Sequence, residues 1–430
     1  MICNKTSLNN QTIYQVFIRQ FSPTHDFNGV TKQLDRIKAL GADILYLIPF
    51  YPIGKLNRKG EVGSPYSIYD YTKIDPLNGT EQDFKNLLNS AHEKGLKVII
   101  DMVLNHTSRD SVLLQQHEDW FYHANGKPAN KVGDWSDVYD LDYSKKELCD
   151  KITEILCNWV KLGVDGFRMD VCSLVPAHFW AQAVNALHKI NPNVIMFGES
   201  VEINFIRELR KLGCEAMSDG EAYNYFDILY VYDVHDTQSA FVEKNGGTLG
   251  AWLKDVLNQE GRYKLDYVKS RYLDNHDRPR VAKFWQGDKL KMLWALNFYL
   301  KGTAFVYAGD ETSFEKQNDL FEIDEVKWSF NDEKKDISAY ISNLAAIKKH
   351  EVYSQGYFDI SMHGKDTAVC SYESSNCLSL GIFNFSKKQV KVQVALTDGD
   401  YKNLITGKLV TVKGGKLLAK NEAIVIELKK

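Results

Sequence analysis

Short runs of β-branched, aliphatic and aromatic residues recur along the first 350 residues, and stretches with apolar residues at helical spacing separate them. Unbroken apolar runs predict buried strands, whereas repeats at three and four residues predict amphipathic helices. The predicted strands are 12–19, 43–50, 97–103, 166–171, 194–200, 215–219, 270–274 and 303–308. The predicted helices are 30–40, 81–94, 145–162, 176–190, 205–212, 249–257, 290–300 and 337–349.

Eight strand–helix units favour a (β/α)₈ TIM barrel of the α/β class over residues 1–350. No glycine-rich phosphate loop is present, which disfavours a nucleotide-binding role. The connections after the second and third strands are long, and we expect 105–143 to form a small inserted domain. From residue 351 the pattern changes to short strands and polar turns, which predicts a C-terminal antiparallel β-sandwich domain over 351–430.

The charge balance narrows the classes of partner. A formal net charge of −3 gives no electrostatic reason to expect nucleic acid or an anionic membrane, and no apolar run is long enough to span a bilayer. The seven cysteines are scattered without metal-ligand spacing. With no secretory signal visible at the N-terminus, we expect a cytoplasmic protein. Composition says nothing of the oligomeric state.

The stretch Gly166-Phe167-Arg168-Met169-Asp170-Val171 places two charged residues on one face of a predicted buried strand. A buried carboxylate without a partner is costly, so Asp170 needs one, and Arg168 is two residues away. From these six residues alone, a structural ion pair in an ordinary core explains the pattern as well as a functional site does.

Polar residues also end other predicted strands. Asp101-Met102-Val103-Leu104-Asn105-His106, Gly198-Glu199-Ser200 and Asn275-His276-Asp277 all fall at carboxyl ends, where TIM barrels carry their active sites. Two carboxylates on one rim are the apparatus of glycoside hydrolysis. A retaining enzyme needs them about 5–5.5 Å apart, and neighbouring strands are about 4.8 Å apart. Asp170 and Glu199 are therefore suited to the roles of nucleophile and proton donor.

These segments, in this order, resemble the four signature regions of the α-amylase family of glycoside hydrolases. The resemblance implies Asp170 as the nucleophile, Glu199 as the acid/base and Asp277 as a third carboxylate that stabilises the transition state. Pro65-Tyr66-Ser67-Ile68-Tyr69-Asp70-Tyr71 is similar to another family element. It implies that Tyr66 stacks on the sugar at the cleavage point.

Supporting roles follow for further residues. His106, Arg168 and His276 match family positions that orient the nucleophile and bind sugar hydroxyls. We also assign Arg280, close after Asp277, to substrate binding. Asp101 and Asn105 are expected to contact and position the site residues without touching the substrate.

The chain departs from typical α-amylases in two places. After the nucleophile it has Val171-Cys172-Ser173-Leu174, where they have a small residue followed by a Lys-His pair. A valine there is frequent in members that act on α-1,6 bonds. Family α-glucosidases usually carry an acidic residue where this chain has Gly63. Asn105 matches a position that can ligate calcium, but the Lys-His segment is missing and the loop 24–29 is short, so no metal or other cofactor is expected.

The sequence therefore predicts a retaining glycoside hydrolase that cleaves α-1,4 glucosidic bonds, with α-1,6 bonds as a second candidate linkage, in malto-oligosaccharides or related α-glucans. Transglycosylation or phosphorolysis of α-glucosides or sucrose is the enzymatic alternative, because the same covalent intermediate can be intercepted by sugar or phosphate. A catalytically silent sugar-binding relative is the non-enzymatic alternative. It is disfavoured because all three carboxylates are present.

Overall fold

The computed structural model describes residues 5–131 and 135–430. Cys3 and residues 132–134 of the predicted inserted domain lie outside the described residues. Eight parallel strands form the centre of the molecule: β1 (Thr12–Val16), β2 (Ile44–Leu47), β3 (Lys97–Val103), β4 (Gly166–Asp170), β5 (Ile195–Gly198), β6 (Ile228–Leu229), β7 (Ser270–Arg271) and β8 (Thr303–Tyr307).

These strands lie in one sheet in the order β6-β5-β4-β3-β2-β1-β8-β7. The sheet closes on itself where Leu229 of β6 bridges Lys269, the residue before β7. The Leu229 N–H donates to the Val268 carbonyl at 3.1 Å. Closure in strand order confirms the predicted TIM barrel.

Helices surround the barrel. The main ones are Phe27–Thr31, Leu34–Ala39, Glu81–Glu93, Lys146–Leu162, Ala177–Ile190, Ile203–Lys211, Leu249–Arg262, Gly287–Tyr299 and Ser338–Lys348. Local sequence sets several ends. Thr80 and Asp83 form a capping box at the start of the helix Glu81–Glu93, and Gly163 ends the helix Lys146–Leu162 in a left-handed conformation with φ 115°.

The predicted sixth strand at 215–219 is wrong. That stretch leads into a short helix, Asp219–Ala222, and β6 lies further along the chain at Ile228–Leu229. β6 has only two residues, at the start of the apolar run Ile228-Leu229-Tyr230-Val231-Tyr232, which is not among the predicted strands. Its partner Phe197 in β5 fixes its position instead.

Two additions complete the fold. After β3, His106–Ser108 pairs antiparallel with Val138–Asp140 at the base of the insertion. At the C-terminus two four-stranded antiparallel sheets form from β9 (Tyr357–Met362), β10 (Thr367–Glu373), β11 (Cys377–Asn384), β12 (Val390–Gln393), β13 (Gly399–Lys402), β14 (Leu409–Lys413), β15 (Lys416–Ala419) and β16 (Ile424–Lys429).

The C-terminal sheets are anchored to the barrel by aromatic residues. Tyr372 donates its hydroxyl to the Tyr299 carbonyl at 3.0 Å, and the two rings pack edge to face. Such pairs add stabilisation beyond the area that they bury. Within the described residues, no helix combines the length and apolar character needed to cross a membrane.

Candidate active site

A pocket of about 320 Å³ opens at the mouth of the barrel, on the side where the strands end. Its walls are formed by Lys59, Ser64, Tyr66, His106, Trp135, Asp137, Val138, Asp170, Val171, Glu199, Asp277, Leu320 and Phe321. The three predicted catalytic carboxylates therefore line one cavity, together with two of the predicted sugar-binding residues, Tyr66 and His106.

Arg168 lies directly beneath this pocket and is fully buried. Its Nη1 atom donates to Asp170 Oδ1 at 2.9 Å and to Asp101 Oδ1 at 3.0 Å. Its Nη2 atom lies 2.8 Å from Glu199 Oε2 in an ion pair whose angles fall short of a hydrogen bond. One guanidinium therefore contacts the carboxylates of Asp101, Asp170 and Glu199, and its planar shape fixes their relative positions.

Strand register produces this arrangement. Asp101 of β3 lies opposite Arg168 of β4, which in turn lies opposite Phe197 of β5. The Glu199 N–H donates to the Met169 carbonyl at 2.9 Å, so Glu199 follows β5 at the level where Asp170 ends β4. Parallel neighbours in register bring residues from distant parts of the sequence within one strand spacing.

The backbone after the nucleophile candidate is strained. Val171 has φ 34° and ψ 46°, a left-handed conformation that is unusual for a β-branched residue and costs on the order of 1–3 kcal/mol. In this conformation its N–H donates to Glu199 Oε2 at 2.9 Å. The Tyr232 hydroxyl makes a longer contact, 3.4 Å, to Glu199 Oε1. The strained turn thus positions the acid/base candidate.

Burial changes the titration of two carboxylates beside Arg168, those of Asp101 and Asp170. Burial raises the pKa of Asp170 well above its ordinary value, with Arg168 opposing and Glu199 reinforcing the shift. Burial likewise raises the pKa of Asp101 to about 6, against the opposing charge of Arg168. Because like charges so close cannot all ionise easily, Asp101 and Asp170 are harder to ionise than isolated carboxylates.

A second polar chain runs beside the carboxylates. Gln15 Nε2 lies 2.8 Å from His276 Nδ1, and His276 Nε2 lies 2.5 Å from the Tyr66 hydroxyl and 3.1 Å from Asp277 Oδ2. The Tyr66 and His276 rings stack with centroids 5.5 Å apart. The Tyr66 hydroxyl also donates to Asp101 Oδ2 at 3.2 Å, which links this chain to the carboxylate cluster.

Both histidines of the site are neutral at ordinary pH. Burial lowers the pKa of His106 to about 4 and that of His276 to about 3, the latter with help from the charge of Arg168. A neutral imidazole has one donor and one acceptor nitrogen, which suits a sugar hydroxyl. The His106 ring also lies 5.1 Å from Trp135 of the insertion, measured between centroids.

Two predicted site residues lie away from the pocket. Arg280 was assigned to substrate binding, but it is fully buried. Its guanidinium donates to Asp310 at 3.2 Å and to the Ala308 carbonyl at 2.7 Å. That placement contradicts direct contact with substrate. Asn105 lies in a separate cavity of about 300 Å³ beside the insertion.

The surroundings of Asn105 do not fit a calcium ion. Its Nδ2 atom donates to Asp140 Oδ1 at 3.3 Å. The other Asp140 oxygen accepts the Lys131 N–H at 2.7 Å, while the Lys131 ammonium donates to the Leu141 carbonyl at 3.1 Å. Calcium requires six to eight oxygen ligands. Here the Leu141 carbonyl already accepts a hydrogen bond from the Lys131 ammonium, and both carboxylate oxygens of Asp140 already accept N–H groups.

Sequence reasoning missed three residues that complete the site. The Tyr46 hydroxyl of β2 donates to Asp101 Oδ2 at 2.5 Å, and Gln15 and Tyr232 contact His276 and Glu199 as described above. Tyr46 and Gln15 lie within strands, where a polar group in an otherwise apolar run was the available signal. Tyr232 follows β6, and the misplaced sixth strand concealed it.

A TIM barrel with two carboxylates from neighbouring strands at its mouth, held by one buried arginine, is the arrangement of a glycoside hydrolase. Comparisons with known proteins specify the class further. Residues 9–351 match the family described as alpha amylase, catalytic domain. Residues 359–426 match the bacterial alpha amylase C-terminal domain.

Two solved structures resemble this chain in fold over nearly its whole length. An alpha-amylase from Lactobacillus plantarum is 37% identical with a TM-score of 0.93, covering 98% of this chain and 100% of that one. A noncanonic maltogenic alpha-amylase, AmyB, from Thermotoga neapolitana is 30% identical with a TM-score of 0.87, covering 99% of this chain and 100% of that one.

Among curated sequences, Alpha-amylase 3 of Dictyoglomus thermophilum is 26% identical over 76% of this chain and 69% of its own length. The chain belongs to the α-amylase family of glycoside hydrolases. It is an enzyme that acts on α-glucosidic bonds, as its sequence predicts.

Proposed function

We propose that the protein hydrolyses α-glucosidic bonds in short malto-oligosaccharides with retention of configuration, through a covalent glycosyl-enzyme on Asp170. The contact of one guanidinium with both Asp170 and Glu199 carries this proposal. Asp170 Oδ1 is bound to Arg168, whereas Oδ2 has no hydrogen-bond partner within the described residues. That second oxygen is the one free to attack the anomeric carbon.

The mechanism follows from these positions. Asp170 Oδ2 forms a bond to the anomeric carbon while the glycosidic bond breaks, and Glu199 gives its proton to the departing oxygen. Glu199 then removes a proton from water, whose oxygen displaces Asp170 from the sugar. Two inversions at one carbon give net retention. Arg168 stays charged throughout and offsets the changes in charge on both carboxylates.

The other pocket residues bind the sugar in this proposal. Tyr66 offers an aromatic face beside the nucleophile, and His106 offers a neutral nitrogen to a hydroxyl. Asp277 lies beside His276 and accepts hydroxyl protons as positive charge develops on the sugar. The site needs no metal ion in this scheme, and the unsuitable oxygen set around Asn105 supports that part of the proposal.

Two further features support finer parts of the proposal. Val171 follows the nucleophile, so α-1,6 bonds are included as a second substrate class. The described cysteines, residues 149, 157, 172, 214, 370 and 377, are all unpaired, which favours a reducing compartment such as the cytoplasm.

Asp170→Asn tests the proposal. The amide is similar in size but cannot form the glycosyl-enzyme, so we expect loss of essentially all turnover of maltotriose with binding retained. Product analysis over time, with and without phosphate, distinguishes hydrolysis from transfer. Predominance of longer oligosaccharides or glucose 1-phosphate would show that sugar or phosphate, rather than water, is the natural acceptor.

A further inference from the structure

Three loops form a continuous wall on one side of the active-site pocket. They are the β2 loop (residues 48–80), the β8 loop (residues 308–337) and the described part of the inserted segment (residues 105–131 and 135–143). The pocket residues that they contribute are Lys59, Ser64, Tyr66, His106, Trp135, Asp137, Val138, Leu320 and Phe321. We call this group the loop wall.

Hydrogen bonds to backbone carbonyl groups fasten the loops to one another. The N–H groups of Val62 and Gly63 donate to the Phe321 carbonyl at 3.2 and 3.0 Å, which joins the β2 and β8 loops. Ser67 Oγ donates to the Asp137 carbonyl at 3.0 Å, which joins the β2 loop to the insertion. The buried Arg19 side chain reaches the Gly63 carbonyl at 2.9 Å from below. The wall is therefore a built part of the fold.

Lys59 is the lysine of the loop wall. Its Nζ atom lies 2.9 Å from Asp137 Oδ1, and its side chain is 34% exposed whereas that of Asp137 is 5% exposed. The ammonium also lies 5.8 Å from the centroid of the Phe321 ring. An ammonium group has three N–H donors. Within the described residues, Asp137 is the ion-pair partner of Lys59 Nζ, and donors of the ammonium remain for a ligand in the pocket.

The position of the loop wall relative to Glu199 indicates which part of the substrate the wall contacts. In the closed ring of eight strands, β1 lies opposite β5, with β2 and β8 on either side of β1. Glu199 follows β5 and, under the proposed function, protonates the oxygen of the departing sugar. The departing part of the substrate therefore extends on the β5 side. The part that stays on Asp170 extends toward the loop wall.

We propose that the Lys59–Asp137 pair, backed by Phe321, is the binding site for the non-reducing terminal glucose and sets the length of sugar that the enzyme retains. The Lys59 ammonium donates to hydroxyls of that terminal unit, while the wall leaves no room for further units. The enzyme then releases short products of fixed length from chain ends. This inference rests on the proposed hydrolase function, and the maltogenic character named for the Thermotoga neapolitana relative agrees with it.

A blocked substrate tests the closed end of the pocket. Maltoheptaose carrying a 4,6-ethylidene cap on its non-reducing glucose should be cleaved at least about 10-fold more slowly than uncapped maltoheptaose, because the cap removes the hydroxyls that Lys59 binds. Cleavage of both substrates at equal rates, with the same internal products, would overturn the proposal.

Lys59→Ala identifies the residue responsible. Loss of a hydrogen bond from a charged donor predicts a fall in kcat/KM for maltotriose of about 10- to 100-fold, and the discrimination against the capped substrate should largely disappear. Lys55→Ala is the matched control, since it removes a lysine from the same loop at an exposed position. Lys55 does not line the active-site pocket.

A second variant separates the binding role from loop collapse. Asp137→Asn keeps the size of the side chain and removes the charge that holds Lys59, so it should also relax end selectivity while leaving the melting temperature near that of the wild type. Wild-type selectivity in both variants would overturn the inference even though the enzyme hydrolyses maltotriose. Absence of hydrolysis by the wild-type enzyme would instead refute the proposed function.

Discussion

Tyr46→Phe tests whether the buried support beneath the carboxylates governs activity. The Tyr46 side chain is fully buried, and its hydroxyl donates to Asp101 Oδ2 at 2.5 Å. The change removes one oxygen atom without opening a large cavity. It removes one donor from the carboxylate that holds Arg168 from below, without altering any residue that lines the pocket.

The size of the effect follows from the hydrogen bond. A bond to a charged acceptor contributes about 1.5–3 kcal/mol, and 1.36 kcal/mol corresponds to one pKa unit. The pKa of Asp101, held at about 6 by burial against the attraction of Arg168, should therefore rise in the variant. The ionised fraction of Asp101 below that pKa should fall by roughly 10-fold or more.

The assay is kcat for maltotriose across pH 5 to 9, with the free energy of unfolding measured in parallel. We expect kcat of Tyr46→Phe to fall roughly 10-fold near pH 6 and to recover toward the wild-type value at higher pH, since Asp101 then ionises again. Tyr51→Phe is the matched control. Its buried hydroxyl donates to the main-chain carbonyl of Asp101 at 3.0 Å, so it should lose stability without a shift in the pH profile.

A wild-type pH profile in Tyr46→Phe would refute this prediction, because it would mean that ionisation of Asp101 does not affect kcat through Arg168 and Asp170. An equal loss of kcat at every pH would also contradict it. That result would indicate a general distortion of the barrel rather than a titration.

Two further predictions concern pH and metal. Burial depresses the pKa values of His106 and His276 to about 4 and 3. Because these histidines have a pKa near 6.5 in the unfolded chain, the unfolded state takes up protons first as the pH falls, and the folded state loses stability. For His106 alone the loss is on the order of 3 kcal/mol. Asp101, Asp140 and Asp170 have pKa values raised by burial and act in the opposite direction over the same range. The histidine contribution is therefore measured with a variant: between pH 6.5 and 4 the melting temperature of His106→Gln should fall less than that of the wild type, and equal falls in both would contradict the burial argument. Chelation followed by calcium addition should change neither activity nor melting temperature, whereas Lys131→Met should lower the melting temperature. Calcium-dependent recovery would show that Asn105 belongs to a metal site.

The sequence allowed prediction of the fold wherever hydrophobic pattern and tertiary structure agree. β3 has the predicted bounds, Lys97–Val103, because its buried apolar run is long and ends in polar residues. β6 was missed although the apolar run 228–232 begins there, because nothing local shows which of its residues pair with β5 and with Lys269. Strand register, which no local pattern contains, decides such short elements.

In the candidate site, too, local motifs revealed some residues, whereas the roles of others depend on tertiary packing. Asp170, Glu199 and Asp277 were predicted because short motifs place them at strand ends, and the structure brings them to one pocket. Tyr46 and Gln15 were missed because their roles depend on which neighbouring strand they face. Arg280 was assigned to substrate from its position in the sequence alone, and its burial among Asp274, Asp310 and Asn318 could be learned from the packing alone.

The most direct test of the proposed mechanism is identification of the glycosylated residue. Incubation with a 5-fluoro-α-glucosyl fluoride, which slows hydrolysis of the covalent intermediate, followed by proteolysis and mass spectrometry, locates the sugar on one peptide. The account predicts a single adduct on Asp170, lost in Asp170→Asn. An adduct on Glu199 or Asp277, or turnover without any adduct on Asp170, would contradict it.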